Sequence, residues 1–205
     1  FIIAHNMGLG KSLQVVTLMH TLQTHPGLIR NNRPIIDRIL LIVPVNTLEN
    51  WKAEFKKWLT NMPKIVLYDF TSTGGGARKR LSERWEESGG IMLVTQDTLS
   101  RAIKSTKNED TAACYKRVFI TPGPDALFID EGHLMLKNRN TDISKVLFSM
   151  ATPRRIVLTG TPLQNNLIEF YQMANWVDKG CLGTEAEFEK KFSSKIMTSL
   201  TVSCW

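Results

Sequence analysis

Near its amino end the chain reads Met7-Gly8-Leu9-Gly10-Lys11-Ser12, and no other stretch restricts the possible folds so tightly. An apolar, strand-like run from Phe1 to Ala4 precedes it, and an amphipathic run after it predicts a helix over Ser12–Gln23. Strand, glycine-bearing bend and helix start, in that order, are the setting of a phosphate-binding loop. Glycines let backbone N–H groups turn toward an anion with no Cβ in the way. The helix start adds unpaired N–H groups and the positive end of a dipole. Lys11 is expected against the β- and γ-phosphates of a nucleotide, with the Ser12 hydroxyl on Mg²⁺. His5 stands where the usual pattern has its first glycine. The alternative is a glycine-rich turn that caps a helix and leaves Lys11 in solvent.

A second stretch weighs against that alternative. Ala126-Leu127-Phe128-Ile129-Asp130-Glu131-Gly132-His133 is an apolar strand that ends in two acids. Ligands of open parallel α/β sheets bind at the carboxyl ends of the strands. Asp130 at such an end would hold Mg²⁺ through water, and Glu131 would orient and deprotonate an attacking water. Adjacent carboxylates there repel each other and lose hydration, which a cation offsets. An acidic helix N-cap remains the plainer possibility for these two residues.

The rest of the chain alternates strand and helix. Strands are predicted over Phe1–Ala4, Ile39–Val43, Lys64–Tyr68, Ile91–Val94, Ala126–Asp130 and Arg155–Leu158. Helices are predicted over Ser12–Gln23, Thr47–Leu59, Ala77–Trp85, Thr98–Ile103, Asp142–Met150, Leu167–Trp176 and Glu185–Phe192. Such alternation implies an α/β fold with a mainly parallel sheet and helices on both faces. The polar stretch from Lys104 to Gly123 is expected to be a surface loop. A chain of 205 residues with 42% hydrophobic content can bury one good core. No apolar run reaches membrane-spanning length. Cys114, Cys181 and Cys204 are scattered and read as reduced thiols, with no structural metal. The net charge of +7 suits a polyanionic partner.

Asp130-Glu131-Gly132-His133 resembles motif II of superfamily-two helicases, in the form used by Swi/Snf-like chromatin remodellers. His5-Asn6-Met7-Gly8-Leu9-Gly10-Lys11-Ser12 resembles their nucleotide loop, and Leu41 to Trp51 resembles motif Ia. Leu93 to Leu99 lies where the family has a further DNA-contacting motif, and Leu158 to Asn166 is nearly a verbatim motif III. His5, the D-E-G-H form and the run Asn166 to Tyr171 are most similar to the ATRX-like subgroup. The similarity runs from Phe1 to about Phe192, and residues 193–205 are expected to be a non-family or disordered tail.

The resemblance implies a RecA-like three-layer sandwich: the first lobe of an ATP-dependent DNA translocase in the nucleus. Its cofactors would be ATP and Mg²⁺, and its partner double-stranded DNA or the nucleosome. Lys11, Asp130, Glu131 and His133 would be catalytic, with Ser12 and Asp130 on the metal and residues 5–12 around the nucleotide. Pro44, Asn46, Thr47, Lys52, Thr95 and Gln96 would face DNA. On residue chemistry, Pro44 ends a strand and Thr47 can cap the next helix, whose free N–H groups would hold a backbone phosphate. Lys52, Lys56 and Lys57 add charge to that helix, or form a merely solvated face. Trp51, Phe55 and Trp58 have core spacing. Thr159, Gly160 and Thr161 would couple hydrolysis to the Asn165–Asn166 loop, the hydroxyls meeting the carboxylates, with His133 as a relay or a helix cap.

Two departures stand out. Leu134 and Met135 both separate D-E-G-H from Leu136-Lys137-Asn138, where the remodellers have one residue, so a shifted or bulged turn is expected. Nothing resembles the second RecA-like lobe, whose arginines complete the family's site. Little hydrolysis is therefore expected of this chain alone. Two other functions stay open: an RNA or repair helicase lobe, and a non-enzymatic DNA- or protein-binding fragment.

Overall fold

The computed structural model describes residues 1–5, 8–60, 65–161 and 167–193. Its centre is a six-stranded sheet in the order β1-β8-β7-β4-β6-β5, every neighbouring pair parallel. The strands are β1 (Ile2–Ala4), β4 (Arg38–Val43), β5 (Leu67–Asp69), β6 (Gly90–Thr95), β7 (Ala126–Ile129) and β8 (Arg155–Thr159). A small antiparallel hairpin, β2 (Ile29–Arg30) with β3 (Arg33–Pro34), lies apart from it. The interior strands read as near-continuous apolar runs because both of their faces are covered, as parallel sheets require.

Alternation along β4 sorts the two faces. Ile39, Leu41 and Val43 pack with Val15, Val16 and Met19 of α1 (Lys11–Thr24) and with Trp51 and Phe55 of α2 (Leu48–Leu59). Leu40 and Ile42 face the opposite layer, which includes Trp85 of α3 (Gly75–Ser88) and Leu99 of α4 (Gln96–Ser105). Met135 of α6 (Gly132–Leu136), Leu147 of α7 (Asp142–Ser149) and Trp176 of α8 (Leu167–Val177) complete that layer. The result is the three-layer α/β sandwich expected from the sequence. The Asp125 carboxylate, accepting from the backbone N–H groups of Asp37 at 3.0 Å and Arg38 at 2.8 Å, fixes the start of β4 beside the start of β7.

The stretch expected to be a surface loop is structured. Asn108 caps α5 (Glu109–Tyr115) by accepting from the Thr111 N–H, and a π-helical turn, Lys116–Ile120, follows. Cys114, Tyr115, Val118 and Phe119 are buried, and Phe119 meets Phe70 at 5.3 Å and Trp85 at 6.1 Å between ring centroids. Polar residues around this stripe hid it. Arg117 binds both carboxylate oxygens of Glu86 at 2.8 Å, which holds that carboxyl below its usual range. Burial pushes the Cys114 thiol up, and both Cys114 and Cys181 are free.

Element boundaries move by a few residues elsewhere. The strand expected from Lys64 starts at Leu67, and the last expected helix is only α9 (Glu185–Phe188), which has a Thr184–Glu187 capping box. A π-helical turn, Glu189–Ser193, follows it. Cys204 and the tail beyond Ser193 lie outside the described residues. Among the described residues no helix is long and apolar enough to cross a membrane.

Candidate nucleotide site and its neighbourhood

Three adjacent strands, β1, β8 and β7, deliver the expected nucleotide residues to one edge. Pairing sets Ala4 beside Thr159 and Ile129 beside Val157, so the residues after each strand emerge together. Lys11, Ser12, Asp130 and Glu131 line one cavity of about 410 Å³ with Gly8, Gly10 and Leu158. Gly8 and Gly10 have φ of +86° and +73°, and a Cβ at either would meet no atom within 4 Å. The need there is conformational: the bend uses left-handed backbone that glycine adopts without strain. Leu9 and His5 are exposed beside it, and Asn6 and Met7 lie outside the described residues. The Lys11 ammonium donates to the His5 carbonyl at 2.7 Å, folding back over its own loop.

Asp130 is 7% exposed and held at both oxygens. The Trp51 indole N–H donates to Oδ2 at 2.7 Å, and the Glu131 backbone N–H donates to Oδ1 at 3.0 Å. Glu131 has left-handed backbone, φ 48° and ψ 47°, at a cost of about 1–3 kcal/mol for a side-chain-bearing residue. The chain thereby turns sharply out of β7 into α6. Gly132 then lies so close to β8 that an added Cβ would meet Val157 Cγ1 at 2.4 Å.

His133 joins the second motif to the third. Its Nδ1 is 2.9 Å from Thr159 Oγ1 and 3.4 Å from Glu131 Oε2, and Thr159 Oγ1 also accepts from the Thr161 N–H at 3.2 Å. The expected direct bond from the threonine hydroxyls to the carboxylates is thus replaced by a link through His133. Gly160 and Thr161 are half-buried, while Asn165 and Asn166 lie outside the described residues. The additional residue after His133 makes no bulge. It is absorbed in the regular helical turn α6, with Leu134 exposed and Met135 and Leu136 buried.

The expected DNA-facing residues follow the neighbouring strands β4 and β6, whose ends are aligned by pairing of Val43 with Thr95. Pro44 is buried, and Asn46 is exposed on the turn before α2. Thr47 occupies the N-cap position without capping; its hydroxyl donates backward to the Pro44 carbonyl at 3.2 Å. Lys52 is tied down by Asp69 at 2.7 Å and Glu49 at 2.8 Å, and it donates to Ser72 Oγ at 3.1 Å. Those bonds, led by the one to Asp69, raise the Lys52 pKa. Burial would raise Asp69, but hydrogen bonds from Lys52 and Ser72 outweigh it and hold the carboxyl below its usual value. Thr95 is buried, its hydroxyl bonded to Thr98 at 2.9 Å and its N–H to Thr71 Oγ1 at 3.0 Å. Gln96 opens α4 and is half-buried.

Sequence spacing marks Trp51 only as a core residue. A buried indole needs an acceptor for its N–H, which raises the question of its partner, but only the fold brings Asp130 to it. Asn50, Glu54, Lys57 and Trp58 of α2 also line the cavity, and no motif in the sequence assigns them to the nucleotide. Among the described residues no group of three or more His, Cys, Asp or Glu could hold a metal. A cation bound by one carboxylate, one hydroxyl, phosphate oxygens and water fits this donor set, as is usual for Mg²⁺.

Comparison with known proteins gives one consistent result. The model of the SNF2-related domain matches residues 1–203. The Drosophila melanogaster transcriptional regulator ATRX homolog is 41% identical over 203 residues, covering 95% of this chain and 15% of that protein. Human transcriptional regulator ATRX is 37% identical over 204 residues, covering 95% of this chain and 8% of that protein. The chain therefore spans only a small part of these relatives. The Sulfolobus solfataricus SWI2/SNF2 ATPase core in complex with dsDNA superimposes with a TM-score of 0.69 at 26% identity, covering 96% of this chain and 35% of that chain.

Proposed function

Because this chain belongs to the SNF2-related domain family, we propose that it is the first RecA-like lobe of an ATP-driven, double-stranded-DNA translocase that remodels chromatin in the nucleus. The observation that carries the proposal is the shared cavity: Lys11 and Ser12 after β1, and Asp130 and Glu131 after β7, line the same space. The donor set fits Mg²⁺–ATP. Backbone N–H groups of residues 8–12 and the Lys11 ammonium would bind phosphates, while Ser12 and Asp130 would hold the metal. When bound, Mg²⁺ neutralises charge on the transferring phosphoryl group.

In this role Glu131 orients a water and takes its proton. His133 keeps the Glu131 side chain in register with Thr159, so the acid is aligned with the strand that leads to residues 162–166. The turn at Val45–Thr47 and the start of α4 would lie against a DNA backbone, with contacts that carry no base information. Lys52, already neutralised by Asp69 and Glu49, would act mainly by positioning that turn. Exposed Lys56 remains beside it to meet phosphate. The Sulfolobus core is bound to double-stranded DNA, which favours that duplex over RNA as the polymer.

The test is Mg²⁺-dependent binding of a fluorescent ATP analogue. Lys11→Ala should weaken it by about 1.5–3 kcal/mol, ~10- to 150-fold, the usual worth of a hydrogen bond to a charged group. Equal affinity in the variant would remove the nucleotide from this cavity and leave a DNA- or protein-binding fragment as the better account.

A further inference from the structure

On the reading of the cavity as a Mg²⁺–nucleotide site, we propose that Trp51 is a positioning residue for the metal-side carboxylate Asp130. Trp51 borders the cavity but is only 2% exposed, so it acts there chiefly through the side chain it holds. What it holds is Asp130 Oδ2, at 2.7 Å from the indole nitrogen. The Glu131 N–H on Oδ1 restrains the other oxygen. With a donor on each oxygen, rotation of the carboxylate about its Cβ–Cγ bond breaks at least one bond. One lone pair on each oxygen is still free for a metal-bound water.

The two donors come from different places. The Glu131 N–H is local to the turn after β7, whereas the indole is carried by α2 from across the sheet edge. Burial of the ring against Phe55, with centroids 5.8 Å apart, fixes the indole in turn. Packing alone does not account for a tryptophan here, since a phenylalanine would also fill an apolar site. The N–H is the group that phenylalanine lacks. Partners that orient a metal-holding side chain are typically worth roughly 10- to 100-fold in metal affinity.

The test replaces Trp51 by phenylalanine and titrates Mg²⁺ against N-methylanthraniloyl-ADP bound to the chain. Trp51→Phe should raise the Mg²⁺ concentration at half-effect roughly 10- to 100-fold, while nucleotide binding without Mg²⁺ stays as in the wild type. A purely packing role would leave the Mg²⁺ midpoint unmoved, and that result overturns the inference. Absence of any Mg²⁺-dependent binding in the wild type would overturn the site reading and this inference with it. Should Trp51→Phe fail to fold, the wild type still decides the matter by ¹⁵N-indole NMR. The indole N–H signal displaced by Asp130→Asn should also shift when Mg²⁺ is added to the nucleotide-loaded protein. A signal indifferent to Mg²⁺ would again refute the assignment.

Discussion

Supplying a second RecA-like lobe, fused or in trans, is expected to raise DNA-stimulated ATP turnover of these 205 residues by about 10³–10⁵. The reason lies in what surrounds the cavity. Among the described residues its cationic lining is Lys11 and Lys57, and no arginine is present. Lys11 belongs to the loop proposed to bind phosphate, and Lys57 lies over the Trp58 ring at 4.6 Å from its centroid, on the α2 side. Neither offers the planar, many-donor group that stabilises charge spread over the transferring phosphoryl oxygens. A lobe that closes over the β1–β8–β7 edge would supply it. Steady-state phosphate release with linear duplex DNA measures the gain, and a variant lobe without its arginines is the control. Equal turnover with and without the lobe would refute the split-site account.

Gly132→Ala is expected to destabilise the fold by about 1–3 kcal/mol through overpacking. For a domain of this size that is roughly 2–12 °C in Tm. The added methyl group points at Val157 Cγ1, which is 2.4 Å from the ideal Cβ position. Val157 is fully buried in β8, and its branched side chain has little freedom to turn away. The backbone on the other side is no softer, because Glu131 is already left-handed. A shift of α6 would carry His133 away from Thr159, so the second motif and the third would part together. Trimming the opposing residue should relieve the clash, making the Gly132→Ala, Val157→Ala pair less unstable than the sum of the single changes. Strictly additive losses in thermal melts would show that the glycine is not there for close packing.

Much of the fold and site is legible in the sequence because the decisive signals are local. The run Ile39 to Val43 is buried on both faces and ends at Pro44, so its strand and its exit can be read directly. The glycine bend and the Asp130–Glu131 pair each announce a strand end, and parallel pairing then brings those ends together. The stretch from Lys104 to Gly123 reads as a loop because charged residues frame a helix whose buried stripe is only Cys114, Tyr115, Val118 and Phe119. Those four do keep i, i+4 spacing, which is the available clue. Thr47 looks like a cap because its residue type suits one, yet the preceding 3₁₀ turn Val45–Thr47 directs its hydroxyl back to Pro44. Contacts that join distant segments, such as Trp51 to Asp130 and Lys52 to Asp69, depend on strand order and cannot be read from spacing. They bear on the proposed function, since α2 begins at the turn expected to meet DNA and, one turn later, reaches Asp130, the carboxylate proposed to hold the metal.

In the proposed site the glycine bend and the acid-ended strand hold one metal–nucleotide between them. Paramagnetic broadening by Mn²⁺–ADP, read on the backbone amides of the ¹⁵N-labelled chain, tests it most directly. Signals of Gly10, Lys11 and Ser12 should vanish together with those of Asp130, Glu131 and Gly132, while those of α3 and α5 persist. Broadening confined to one of the two segments, or spread evenly over the chain, would contradict it.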